Sequence, residues 1–443
     1  MRMTTTPWGD SEELLERRLR PGPGTPREEV ERNQRERLFG ATVAVTTTKG
    51  YANTSVADLL EVSCVSRSSF YGHFEDKLAC FLATMEEILT IVTAVTASRV
   101  RRAQSWEEGA ERGLRGLLEL IAAQPAGARL CLVEADAAGP QASGLLEGAL
   151  ERFQKLMEET FDRRPGDSGM PEEMVQAMVG GLRKMLHTRL RRGTEHELVD
   201  LAGDLLGLDF SYVSPPMPLR ERGTARAIMA ADGPDPGARS RDTGERIVRA
   251  TLATVAAKGF PDTSIADIVA AGGVSRSTFY EFFEDKEQAL ASALYSSRLA
   301  MEAAVLPAYR RGRNWPEAIR DAVRSLCTFL ASRPDFAEVT AIQIYTAGPA
   351  AQEGRDRAID SLQVFIEDGF EDLGRPRSPI VAEATVNAVY SMFSQRVRVD
   401  GPASLPQMAP LATYMILSPL VGPERACAVV RGETLDEALT EEA

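Results

Sequence analysis

KGFPDTSIADIVAAGGVSRSTFYEFFEDK, Lys258–Lys286, repeats a phrase that stands 209 positions earlier as KGYANTSVADLLEVSCVSRSSFYGHFEDK, Lys49–Lys77. Sixteen of the 29 aligned residues are identical, without a gap. The same offset carries Trp106 onto Trp315, Pro125 onto Pro334 and Ala138-Gly139-Pro140 onto Ala347-Gly348-Pro349. A whole unit is therefore duplicated, and one copy can be read against the other.

Inside the second copy, Ser264-Ile265-Ala266-Asp267 has the form of a capping box, in which a serine and an acid three residues on satisfy each other's backbone amides. The helix it opens is apolar at Ile265, Ile268 and Val269 and breaks at Gly272-Gly273. Ser275 then caps a second short helix, Arg276–Phe282. Two short helices joined by a glycine-containing turn form a helix-turn-helix, whose second helix enters the major groove with its N-terminal residues at the base edges. Arg276 can bond guanine bidentately, and Ser277 and Thr278 can reach bases or phosphates. Phe279 reads as a core anchor, and Tyr280 as packing or a phosphate contact. Lys286 opens the following helix, where its charge and the adjacent amides can meet the DNA backbone. The first copy supplies Ser55, Ser66, Arg67, Ser68, Ser69, Tyr71, His73 and Lys77 in the same register. Ser66 and Ser275 serve first as caps, and Arg67 and Arg276 are base readers or, failing that, phosphate contacts.

Outside these phrases the periodicity is helical. Glu28–Lys49 and Thr243–Lys258 read as opening helices, stopped by Gly50 and Gly259. Glu107–Ala123 and Pro316–Ser332 are amphipathic and end before Pro125 and Pro334. Pro171–Arg192 with Glu195–Asp209, and Ile380–Val397 with Gln407–Leu420, are late helices whose apolar faces need a partner. An all-α architecture is predicted. Its expected divisions are a disordered or flexible extension at 1–30, a DNA-binding head at 31–90 and a helical body at 91–213. A Pro- and Gly-rich linker at 214–240, a second head at 241–300, a second body at 301–432 and a flexible tail at 433–443 follow. A short amphipathic helix at Glu12–Leu19 is a minor alternative within the first of these.

The bulk numbers exclude several function classes. A net charge of −13 rules out a globally basic nucleic-acid binder but not a local positive face. No run of eighteen uninterrupted apolar residues and no apolar leader is present, so no membrane span or secretory signal is expected, and a cytoplasmic, nucleoid-associated location is the simplest. Five cysteines, none spaced C-x-x-C, and three histidines give no disulfide framework and no metal site. Neither a nucleophile elbow nor a phosphate loop is visible, so no cofactor and no enzymatic activity are expected. Glu134 and Asp136, with Gln343 and Tyr345 at the matching places of the second copy, are candidate polar groups of a ligand pocket or else interhelical hydrogen-bond partners.

The pattern T-S-[IV]-A-D-[IL]-x(4)-[GC]-V-S-R-S-[ST]-F-Y-x-[HF]-F-E-D-K resembles the N-terminal domain of the TetR regulators, over about 50 residues in each half. The resemblance implies two TetR-like units in tandem, each a three-helix DNA-binding head on a helical ligand-binding and dimerising body. It also implies DNA contacts from Arg67–Tyr71, His73 and Lys77 and from Arg276–Tyr280 and Lys286. The partners it implies are a double-stranded operator, a small-molecule effector, and either a homodimer or an intramolecular pseudo-dimer. Two departures matter. Cys64 occupies the turn position of Gly273, and Phe282 that of His73. With the acidic net charge, they leave a ligand-sensing or protein-interaction module with weakened DNA binding as the alternative.

Overall fold

The computed structural model describes residues 5–10, 16, 19, 26–165, 169–219 and 243–433. It is almost wholly helical, as the periodicity predicts. Most of the expected linker and tail, and most of the Glu12–Leu19 segment, lie outside the described residues.

In the first copy the order is α1 (Arg27–Lys49), α2 (Val56–Ser63), α3 (Arg67–His73), α4 (Lys77–Arg101), α5 (Trp106–Ala123), α6 (Pro125–Leu132), α7 (Ala135–Ala138), α8 (Pro140–Phe161), α9 (Glu172–Arg192) and α10 (Ala202–Ser211). The second copy follows the same order except that a 3-10 turn, Gln343–Tyr345, stands in place of α7 and a last helix is added: α11 (Thr243–Lys258), α12 (Ile265–Gly272), α13 (Arg276–Phe282), α14 (Lys286–Arg311), α15 (Trp315–Ser332), α16 (Pro334–Ala341), α17 (Pro349–Asp372), α18 (Pro379–Asp400), α19 (Ala409–Val421) and α20 (Pro423–Arg431). The expected helix Glu195–Asp209 is interrupted. Gly193 turns the chain at positive φ, Glu195–Glu197 forms a 3-10 turn, and α10 starts only at Ala202.

Two compact units result, Met1–Gly166 with Arg183–Leu206, and Asp167–Leu182 with Gly207–Ala443. The division does not follow the duplication, since the first half of α9 and the end of α10 are grouped with the second copy. Within that second unit, Gly181 lies so close to α18 that an added Cβ would meet Ala388 backbone at 2.7 Å, and Tyr414 donates to the Val213 carbonyl at 2.9 Å.

Among the described residues, each copy has a head core and a body core fed by the same pair of helices. Leu38, Leu59, Phe70 and Cys80 fill the first head, while Val43, Phe81, Met85, Leu130 and Leu146 fill the first body. Cys80 and Phe81 are neighbours on α4 yet serve opposite cores, because successive helical residues point about 100° apart. The second copy does the same with Ala289 in the head and Leu290 in the body. The helix α4 is long and apolar enough to cross a membrane by composition alone; its buried side chains Cys80, Phe81, Met85, Ile88 and Leu89 are divided between these two cores.

Within the expected extension at 1–30, residues 5–10 form a hairpin. Thr5–Thr6 pairs antiparallel with Gly9–Asp10, and the turn sets Trp8 on Phe39 at 5.1 Å between ring centroids. Trp8 touches both cores of the first unit, and that apolar contact is what fixes a segment whose Pro-rich surroundings predict disorder.

Both capping boxes form. Ser55 accepts from the Asp58 amide at 3.3 Å and its own amide donates to Asp58 at 2.8 Å; Ser264 and Asp267 do so at 3.2 and 3.0 Å. Lys49 and Lys258 reach these carboxylates at 2.5 Å. The Lys49 ammonium, with the Ser55 hydroxyl and amide, holds the Asp58 carboxyl down at about 2. After each box the turn needs a left-handed residue. Gly273 adopts φ 59°, and Cys64 adopts φ 49°, the one non-glycine residue at positive φ among those described.

Two measurements check this account. Cys64→Gly raises the stability of the first head by up to about 1 kcal/mol in denaturant melts, the left-handed penalty of a Cβ less the added chain entropy of glycine. Because Asp58 has its folded value below the ordinary 3.8, its stabilising contribution is complete above about pH 4 and lost as pH falls through about 2. Asp58→Asn should therefore melt below the wild type at pH 6, with the gap closing toward pH 2.

Candidate nucleic-acid interface

A seven-residue helix is too short to persist alone. On α3, Ser66 accepts from the Ser69 amide at 3.1 Å, and on α13, Ser275 accepts from the Thr278 amide at 3.0 Å. Beneath each helix one phenylalanine, Phe70 or Phe279, is fully buried and stacks edge-on against the following tyrosine. Cap and anchor leave the opposite face to solvent. There Ser66, Arg67, Ser68 and Tyr71 are exposed in the first head, and Ser275, Arg276, Ser277 and Tyr280 in the second. The residues Ser69 and Thr278 are half-buried, their hydroxyls 2.9 and 2.8 Å from the capping serine oxygens.

Arg67 and Tyr71, four residues apart, share a face, as do Arg276 and Tyr280. Each tyrosine is 52% exposed. The exposed face thus offers one guanidinium, hydroxyl donors and an amphipathic ring, a set suited to base edges and phosphates. The two faces differ at one end. Glu281 and Phe282, both exposed, stand on α13 where α3 has Gly72 and His73.

Other expected contacts lie elsewhere. Ser55 and Ser264, though exposed, are engaged in their capping boxes. His73 is half-buried with Nε2 3.0 Å from Gln34 Oε1 on α1, and burial together with Arg35 lowers its proton affinity. It ties α3 to α1. Lys77 donates to the Tyr51 carbonyl at 3.0 Å with its ammonium 4.2 Å from that ring's centroid. Lys286 donates to the Phe260 and Thr263 carbonyls, each at 2.9 Å. Both lysines thus fasten the loop before the helix-turn-helix to the next helix.

Arg37 and Arg246, one offset apart, were not singled out by the sequence. Arg37 is buried and donates to the Ser63 carbonyl at 3.0 Å, while Arg246 donates to the Gly272 and Gly273 carbonyls at 2.7 and 2.6 Å. They satisfy carbonyls that end α2 and α12, and so set the angle at which the recognition helix leaves the turn.

Among the candidate pocket residues, Glu134 accepts from the Tyr51 amide at 2.8 Å, joining body to head. Asp136 lies 3.9 Å from Arg183. Gln343 stands beside Gly259, 3.2 Å from where a Cβ there would be, the place Glu134 holds beside Gly50. The Tyr345 side chain lies outside the described residues. Glu134 and Gln343 thus meet the head loops, and a cavity in the second body is bordered instead by the neighbouring Ile344.

No curated protein matches the chain. Solved structures similar to it include the fatty acid degradation regulator FadR from Bacillus halodurans, at 16% identity over 39% of this chain and 96% of that one, with a TM-score of 0.36. FadR from Bacillus subtilis in complex with stearoyl-CoA is 15% identical over 39% and 95%, also with a TM-score of 0.36. A TetR-family regulator from Mesorhizobium loti is 19% identical over 43% and 100%, again at 0.36. The family described as bacterial regulatory proteins, tetR family, matches at residues 38–84 and again at 247–293. Each match spans one capped helix-turn-helix and the start of the helix after it, so the chain carries the N-terminal domain of the tetR family of bacterial regulatory proteins twice, once in each copy.

Proposed function

We propose that the chain is a ligand-responsive repressor that reads an imperfect inverted repeat with its two heads. The observation that carries this is the recurrence, in register, of an exposed Ser-Arg-Ser face on a helix held by a serine cap and a buried phenylalanine. Both heads present an arginine at the first helical position, where guanine is readable, so the half-sites share a core. Glu281 in place of Gly72 sets a carboxylate near the phosphates in one head only, so the half-sites differ in affinity.

Pairing of the two bodies within one chain is part of the proposal. It is supported by the close approach of Gly180 and Gly181 to Ser391 and Ala388 on α18, at late-helix positions of the two copies. Light scattering after size-exclusion chromatography should give a mass near 48.2 kDa; a mass near twice that defeats the pseudo-dimer and favours a homodimer. Effector binding in a body, altering the spacing of the heads and releasing DNA, completes the reading. A cytoplasmic location, with the nucleoid as its working place, goes with it.

The alternative, a sensing or interaction module with weakened DNA binding, is favoured by the −13 net charge and by the lysines engaged with loop carbonyls. Fluorescence anisotropy with duplex DNA from the region upstream of the coding sequence decides between them. A true binder weakens steeply as salt rises. Arg67→Ala and Arg276→Ala should each cost about 1–3 kcal/mol and relax specificity at opposite half-sites. Uniform loss across all sequences would reduce both arginines to phosphate contacts, and no binding in dilute buffer would establish the alternative.

A further inference from the structure

The second body encloses a cavity of about 570 Å³, within the ~300–1,000 Å³ usual for small-molecule sites. Helices α14 to α18 line it, chiefly with aliphatic and aromatic side chains such as Leu294, Leu326, Phe336 and Ile366. The charged groups at its wall are Arg298, which pairs with Glu302 one turn along α14, Arg355, which pairs with Asp356, and the exposed Arg357; no carboxylate lines it among the described residues. Its remaining polar groups are hydroxyls, of which Tyr390 donates to the Thr340 carbonyl at 2.7 Å. Guanidinium groups only donate, so the polar part of the wall favours an acceptor, above all an anion.

The duplication supplies a control within the molecule. One offset earlier, Arg298 is replaced by Leu89, Arg355 by Leu146 and Gly354 by Leu145. The residues Leu89 and Leu146 are buried in the core of the first body, and Leu145 packs against that core. The same place is therefore filled with hydrocarbon in one body and opened, with arginines at its wall, in the other. Burying a guanidinium where leucine fits is costly for stability alone. Arg355 is 5% exposed and held by Asp356 Oδ1 at 2.8 and 3.1 Å, an acidic position shared with Glu147 of the first copy, so the arginine arises beside a carboxylate that both copies carry. Gly354 contributes room, since a Cβ added there meets nothing within 4 Å.

We infer that sensing is confined to the second body, whose cavity takes one amphipathic anion per chain, a hydrocarbon chain ending in a carboxylate or similar acidic group, while the first body is a filled scaffold. This rests on the reading of the chain as a ligand-responsive regulator. The hydrocarbon displaces poorly bound water from the aliphatic wall, and the acid faces the arginines.

Isothermal titration of the full chain with dodecanoate, dodecan-1-ol and dodecylammonium tests it. One dodecanoate should bind per chain, with the ammonium weaker by at least about tenfold, because its charge is like that of the arginines. Gly354→Leu, which copies Leu145 into open space, should abolish binding, and Arg298→Leu should erase the preference for the anion. Circular dichroism and the anisotropy assay confirm that both variants remain folded and bind DNA. Two sites per chain, equal affinity for the ammonium, or unchanged binding by Gly354→Leu overturns the inference. Binding of dodecanoate by a chain that ignores DNA leaves the sensor standing and removes the repressor; DNA binding without dodecanoate binding does the reverse.

Discussion

The molecule depends on one hydroxyl-to-amide hydrogen bond, made once in each half. A serine oxygen takes up the third amide of a seven-residue helix that has too few internal bonds to hold itself, and a phenylalanine beneath it supplies the only deep burial that the helix contributes. With the inner face spent on that anchor, every other side chain is either at the rim or exposed. The polar face is thus a by-product of how the helix is secured. The supporting contacts behind it, from Arg37 or Arg246 on one side and Lys77 or Lys286 on the other, all end on backbone carbonyls, which lets side-chain chemistry drift at the surface while geometry is kept.

Head and body are not hinged modules in this arrangement. The first and fourth helices of each copy lend alternate faces to two cores, so a shift in the body moves residues that are one position away from the core of the head. Glu134 adds a direct bond from body to head loop in the first copy. On the proposed reading, a ligand bound in the body would reach the helix-turn-helix through this packed, shared pair of helices rather than through a chain of fluctuating contacts.

Much of this was legible in the sequence. The limits of α12 and α13 follow from Ser264, the glycine pair and Ser275, because caps and left-handed turns are local chemistry. The left-handed strain at Cys64 was readable for the same reason. Three things were not. The bonds that Lys77 and Lys286 make to a loop 23 to 26 residues away follow from no local pattern, since each needs that loop to be placed first. The clamp of Arg37 and Arg246 spans a comparable distance. The cavity was hidden because Arg298 and Arg355 look like solvated helix positions; only the packing of five helices shows that their counterparts Leu89 and Leu146 are core. The helices α8 and α17 were missed as elements although each opens on a repeated Gly-Pro, a positive-φ glycine followed by a proline at the first helical position.

The strained turn at Cys64 has a practical corollary. Of the five thiols this one alone is exposed; Cys80, Cys131, Cys327 and Cys427 are buried, and desolvation raises the last four against thiolate formation. Gentle alkylation of the unmodified chain would therefore mark a single half of a nearly symmetric duplication. A spin label or fluorophore introduced that way breaks the degeneracy between the halves without engineering, so that spectroscopy can follow one reading head while its twin stays silent.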